Sequence, residues 1–187
     1  TQTMVKDTGT IDTLGGSGSH TKKVVLGSKT LVKGKTDTLV AWTQKPNGQS
    51  DTVTGNDTLR AFITPAFKDT LTVGGSSPDF TTIQAAFNAL MQHGVCGPVV
   101  INIRSGTYNE QLFLGPVPGS DTTNTITVRS STGDSSAVKV YYSSTSAMNF
   151  TLQLDQCAFT RFRHITFEAT SSSYGRVVWF NNGCESV

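Results

Sequence analysis

Charge is scarce in this chain. Asp, Glu, Lys and Arg together make up 15% of its 187 residues, against about a quarter in an average globular domain. The formal net charge is only +2 and no basic run exceeds Lys22–Lys23, so the electrostatic footprint of a nucleic-acid binder is missing. Long apolar runs are missing too. Stretches such as Val99–Val100–Ile101 fall far short of the roughly 18 residues of a membrane span, and no basic-then-apolar signal region opens the chain, so no direct membrane insertion is expected. Three cysteines, Cys96, Cys157 and Cys184, lack the close spacing of a zinc site; they are expected to be buried thiols, the alternative being one disulfide in an oxidising compartment. Helix-filling Ala, Leu, Lys and Glu are sparse, whereas Ser and Thr supply about a quarter of the residues and Val and Phe are plentiful. Apolar residues plus glycine reach roughly 46%, enough for a buried core, and the balance predicts a mainly β protein.

Composition shifts near residue 70. Residues 1–70 carry short strand-like runs at Lys23–Leu26, Asp37–Trp42 and Leu59–Thr64, separated by Gly27, Gly34, Pro46–Asn47–Gly48 and Gly55–Asn56–Asp57. That rhythm predicts a small antiparallel sandwich, complete or in part, with Trp42 as a core anchor. The Thr36–Thr64 segment resembles the C-terminal half of immunoglobulin-like repeats of large bacterial surface proteins, which implies an immunoglobulin-like β-sandwich over 1–70.

Residues 71–187 read differently. After Gly74–Gly75–Ser76–Ser77–Pro78, Thr81 and Gln84 have capping-box spacing, while Ile83, Ala86, Phe87, Leu90 and Met91 fall on one face, so a helix is expected over 81–93, ended by Gly94. Beyond Gly97–Pro98, apolar strands recur at Val99–Ile103, Ile126–Val128, Val138–Tyr142, Phe150–Leu154, Phe162–Phe167 and Val177–Phe180. The 26 residues from Leu152 to Val178 suit a solenoid, and tight hairpin turns between the strands are lacking.

The run Pro78–Asp79–Phe80–Thr81–Thr82–Ile83–Gln84–Ala85–Ala86, then Val99–Ile103, then Gly106–Thr107–Tyr108–Asn109–Glu110, resembles the opening of pectin-lyase-like right-handed parallel β-helix proteins, pectinesterases especially. The resemblance implies that the helix plugs the first rungs of a parallel β-helix and gives Gly106, Tyr108 and Glu110 a scaffold role. The family's paired carboxylates and arginine belong to segments with no counterpart here. Glu110 and Glu168 therefore read as strand-end charges, and His164 as an outward-pointing side chain.

No nucleophile elbow, metalloprotease helix, phosphate loop or dinucleotide fingerprint occurs, so no catalytic residue, metal or cofactor is assigned. Asp-Thr followed by an aliphatic residue or Thr recurs at Asp12, Asp37, Asp51, Asp57, Asp69 and Asp121. The pattern resembles the O-glycosylation signal of Bacteroidota envelope proteins, making Thr13, Thr38, Thr52, Thr58, Thr70 and Thr122 candidate glycan acceptors; equally, Asp-Thr simply opens strands. The whole resembles large Bacteroidota surface proteins exported by the type IX route. It implies a piece of a secreted or cell-surface stalk or adhesin, with surface glycans or other envelope proteins as partners. The alternatives are a carbohydrate-active enzyme with catalytic rungs beyond residue 187 and an extracellular filament subunit.

Overall fold

A computed structural model describes residues 31, 36–42 and 58–185, which fall into two compact units, Thr1–Thr64 and Pro65–Val187. In the first, β1 (Asp37–Trp42) and β2 (Thr58–Ile63) pair antiparallel from Asp37↔Ile63 to Trp42↔Thr58. The described residues of this unit form a two-stranded ribbon, and the expected immunoglobulin-like sandwich is not shown. Trp42, expected in a core, is 57% exposed, and Leu39, Leu59 and Phe62 are exposed with it. Among the described residues no sheet faces this ribbon on either side. The expected strand at Lys23–Leu26 lies outside the described residues.

The second unit is a parallel β-solenoid of about four turns with one helix. It opens with β3 (Phe67–Val73) and α1 (Ile83–His93), so β3, which straddles the compositional shift near residue 70, lies wholly here. One coil follows as β4 (Val95–Ile103), β5 (Gly106–Asn109) and β6 (Leu112–Leu114). The next is β7 (Ile126–Ser130), β8 (Val138–Tyr142) and β9 (Leu152–Asp155), and a third is β10 (Thr160–Arg163), β11 (Thr166–Ala169) and β12 (Val178–Asn181). Equivalent strands stack into three sheets, ordered β10-β7-β4-β3, β11-β8-β5 and β12-β9-β6, with every pairing parallel.

Strict alternation turns that stacking into a core. Ile101 lies on Val128 and then Phe162, Tyr108 on Val140 and Phe167, and Leu114 on Leu154, so each inward side chain packs on its equivalent one coil away. Two inward positions are polar: Thr160 donates its hydroxyl to the Ala158 carbonyl at 3.1 Å, and the Ser130 hydroxyl meets that of Thr132 at 3.0 Å. Pro98 sits inside β4, a strand paired on both sides, because the register against β3 shifts between Phe67 and Asp69 and leaves it opposite no ladder partner.

Some corners are made by single residues in the left-handed region. His164 (φ 54°) separates β10 from β11, splitting the single strand expected over Phe162–Phe167. Gln156 (φ 50°) and Asn182 (φ 49°) follow the paired residues Asp155 and Asn181, so the same bend recurs one coil later. One left-handed residue between extended neighbours redirects the chain from one sheet to the next at a cost of about 1–2 kcal/mol.

Candidate functional site

The two ends of the solenoid are chemically unlike. At the first, α1 lies against β6, and Gln84 behaves as a short length of strand. Its side-chain carbonyl accepts the Phe113 N–H at 2.7 Å, and its amide nitrogen donates to the Phe113 carbonyl at 3.0 Å. The Met91 sulfur accepts the Gly115 N–H at 3.1 Å. The exposed edge of the first coil is thus paired by side chains, the blocking that an open sheet edge requires. Phe87, fully buried on α1, reaches the Phe162 ring edge-on at 6.4 Å between centroids.

Helix capping differs from the expected box. The N-cap is Thr82, whose hydroxyl accepts the Ala85 N–H at 3.1 Å, and the helix begins at Ile83, not at 81. With Thr82 as N-cap the third helical residue is Ala85, which has no side chain to complete a capping box, and free N–H groups of the first turn are met by a distant residue. The Glu110 carboxylate accepts the N–H groups of Ile83 (3.1 Å) and Gln84 (2.9 Å), at the positive end of the helix dipole. Gly94 ends the helix as expected, its N–H donating to Leu90 at 2.8 Å.

Gly106 and Tyr108 lie in β5. The Tyr108 hydroxyl donates to the Arg104 carbonyl at 2.7 Å and crowds Gly74, where an added Cβ would stand 2.4 Å from the phenol oxygen. Burial first, then the charge of Glu110, holds this phenol above the ordinary tyrosine range, opposed by Arg104. Gly106, Tyr108 and Glu110 therefore meet the Gly74 corner and the helix N-terminus in one cluster joining plug to coil.

The second end is open. Val178 and Phe180 continue the inward columns Leu112–Leu152 and Leu114–Leu154, yet they are 37% and 59% exposed, whereas the residues beneath them are buried. The chain already turns up onto this face: Glu185 pairs with Ala158 in parallel, its N–H donating to the Cys157 carbonyl at 3.1 Å and its carbonyl accepting the Phe159 N–H at 3.2 Å. A side-chain ladder accompanies it, Asn181 and Asn182 donating to the two oxygens of Asp155 at 3.2 and 3.0 Å.

Compared with family models, curated proteins and solved structures, the chain matches none. Its assignment therefore rests on its own geometry. The outward faces hold Asn102, Arg129 and Arg163 in one row, with Arg129 Nε donating to Asn102 at 2.8 Å, and a diagonal ion pair between Lys139 of β8 and Glu168 of β11. Among the described residues no group of three or more His, Cys, Asp or Glu could hold a metal ion. Glu110 and Glu168 lie in different settings, one capping a helix and one on Lys139. His164 is exposed, as expected.

Of the candidate glycan acceptors, Thr13 and Thr52 lie outside the described residues. Thr38, Thr58 and Thr70 are exposed on β1, β2 and β3. Thr122 is exposed in a loop whose Asp121 carboxylate accepts the N–H groups of Thr123 and Asn124, both at 2.7 Å, which lowers the Asp121 pKa. Cys157 is buried and Cys184 half-buried, but Cys96 is exposed, contrary to the expectation of three buried thiols, because it faces outward on β4 opposite buried Val95. Gln84, Met91 and Asp79 were not singled out for these roles. Asp79 accepts the Thr72 N–H at 2.7 Å and hydroxyl at 2.9 Å, protecting the outer side of β3. Only the placing of a long polar side chain beside an edge reveals such a role, and spacing along the chain does not encode it.

Proposed function

We propose that this chain is a non-catalytic scaffold segment, a structural or adhesive length of a larger secreted, surface-borne protein. The carrying observation is the contrast between the ends: one is closed by a helix with side chains on its strand edges, the other presents inward-facing Val178 and Phe180 beside a chain that already begins the next in-register coil. Stacked coils bury their faces only against neighbours, so a face of this kind is built to receive one more coil. On this reading the hydroxyl-rich outward faces are the display surface, with surface glycans or other envelope proteins as partners, and Thr38, Thr58, Thr70 and Thr122 are exposed candidate acceptors.

The test is sedimentation of the 187-residue chain over a wide concentration range beside Phe180→Asp. End-on association that rises with concentration and is abolished in a normally folded Phe180→Asp protein supports the reading, a second copy covering Val178 and Phe180. Strictly monomeric behaviour, or release of unsaturated sugars or methanol from pectin by the purified protein, refutes it.

A further inference from the structure

Cys157 and Cys184 meet across two successive coils. They stand 27 residues apart, immediately before the paired residues Ala158 and Glu185, so they hold equivalent positions in the repeat. Both are reduced, with the sulfurs 3.4 Å apart. Adjacent strands lie about 4.8 Å apart, which places the Cα atoms of an in-register pair inside the roughly 4.4–6.8 Å that a disulfide spans. Rotation about the side-chain bonds suffices to bring the sulfurs to bonding distance, and no strand has to move.

We propose that Cys157 and Cys184 are a modification site, closing to a disulfide that staples the start of the next coil to the one beneath it. Noncovalent attachment there is thin among the described residues: the Glu185 backbone pairing, the Asn182–Asp155 bond and the contact of the two sulfurs. A covalent link would fix the register of an incoming coil where no buried side chain does.

The oxidant is a small disulfide such as oxidised glutathione. The thiolate of Cys184, the less buried sulfur, attacks it, forming a mixed disulfide and releasing one glutathione thiolate. Cys157 then loses its proton and attacks the Cys184 sulfur, displacing the second. The two protein thiols are oxidised, one glutathione disulfide is reduced to two thiols, and the two protons pass to the released thiolates. Cys96 is an internal control, since its sulfur contacts only the Ala66 carbonyl, at 3.5 Å, among the described residues.

The experiment treats the full chain and Cys96→Ala with a glutathione redox buffer, quenches with acid, alkylates in denaturant and maps peptides by mass. The expected result is a Cys157–Cys184 crosslink in both proteins, with Cys96 alkylated or glutathionylated in the first. Oxidation should also slow amide exchange at Glu185. Three alkylatable thiols after treatment, glutathione retained on Cys184 without ring closure, or crosslinks running mainly through Cys96 would overturn the proposal. Because Cys96→Ala changes an exposed residue and leaves the pair intact, the outcome does not hinge on whether a core variant folds.

Discussion

Removing the Glu110 carboxylate tests whether plug and coil are held by a long-range helix cap. In Glu110→Ala, the Ile83 and Gln84 N–H groups lose acceptors at 3.1 and 2.9 Å, and Ile83 is fully buried, so water does not readily replace the lost partner. A hydrogen bond to a charged group contributes about 1.5–3 kcal/mol, and two that share one carboxylate do not add fully, so the expected loss is about 3 kcal/mol. Glu168→Ala is the control. Glu168 is also paired, with Lys139, but both side chains are 43% exposed, and exposed pairs contribute about 0–1 kcal/mol. The assay is urea unfolding followed by tryptophan fluorescence in a Trp42→Phe background. The chain has two tryptophans, and Trp179, packed on Phe150 and beneath the Arg176 guanidinium, then reports the solenoid alone. With a slope of about 2 kcal/mol/M, Glu110→Ala should lower the midpoint by about 1.5 M, and Glu168→Ala by less than about 0.5 M. Equal shifts for the two glutamates would refute the capping argument.

Three further outcomes follow from the same geometry. Gly74→Ala and Gly133→Ala both place a methyl at positive φ (74° and 75°), but only the first meets an obstacle, the Tyr108 hydroxyl; Gly133→Ala should cost about 1–2 kcal/mol by urea unfolding and Gly74→Ala clearly more, with Tyr108→Phe recovering part of the excess. In Gln84→Ala, the Phe113 N–H loses its acceptor and should exchange faster by hydrogen–deuterium exchange, at a stability cost of about 1–3 kcal/mol. In the reduced protein, burial first and then the hydrogen bond with Cys184 push the Cys157 thiol up to about 12 from an ordinary 9.0. The folded state therefore holds this proton more tightly than the unfolded one, and the resulting stability is complete below about pH 9 and lost as pH rises toward 12. Urea midpoints measured across that window should fall, and the disulfide-bonded form should lack this component of the fall.

Much of the solenoid was legible because its code is local. Alternation in Val99–Ile103 and Leu152–Leu154, the stripe from Ile83 to Met91, and the 26-residue recurrence from Leu152 to Val178 are all properties of neighbouring residues, and parallel coils keep such neighbours in register. The reading failed where the decision was tertiary. Trp42 has the composition of a core anchor but lies on a ribbon with nothing described against it. Glu110 looks like a strand-end charge, and its partners lie 26 and 27 residues back. The expected capping box of Thr81 and Gln84 gives way to an N-cap at Thr82, and the Gln84 side chain bonds Phe113 across the gap instead.

The difference between the ends also has an energetic logic. Where a helix is set against a strand edge, both leave N–H and C=O groups that neither backbone pairs; at the closed end Gln84 and Met91 meet those of the strand and Glu110 those of the helix. At the open end the corresponding debt is apolar. Fully burying a Val or Phe side chain is worth roughly 1.5–3 kcal/mol, so Val178 and Phe180 together leave about 1.5–3 kcal/mol unrealised at their observed exposures. At the first end the apolar residues of α1 cover the columns that begin at Leu112 and Leu114, whereas among the described residues nothing covers Val178 and Phe180 to the same degree. Replacing Phe180 with Asp removes that driving force and uncovers the upper side of Leu154, whose lower side still packs on Leu114, and the folded coil count should not change. A Phe180→Asp protein that unfolds instead of staying folded would mean that the third coil is held by its top residues and not by the coil below.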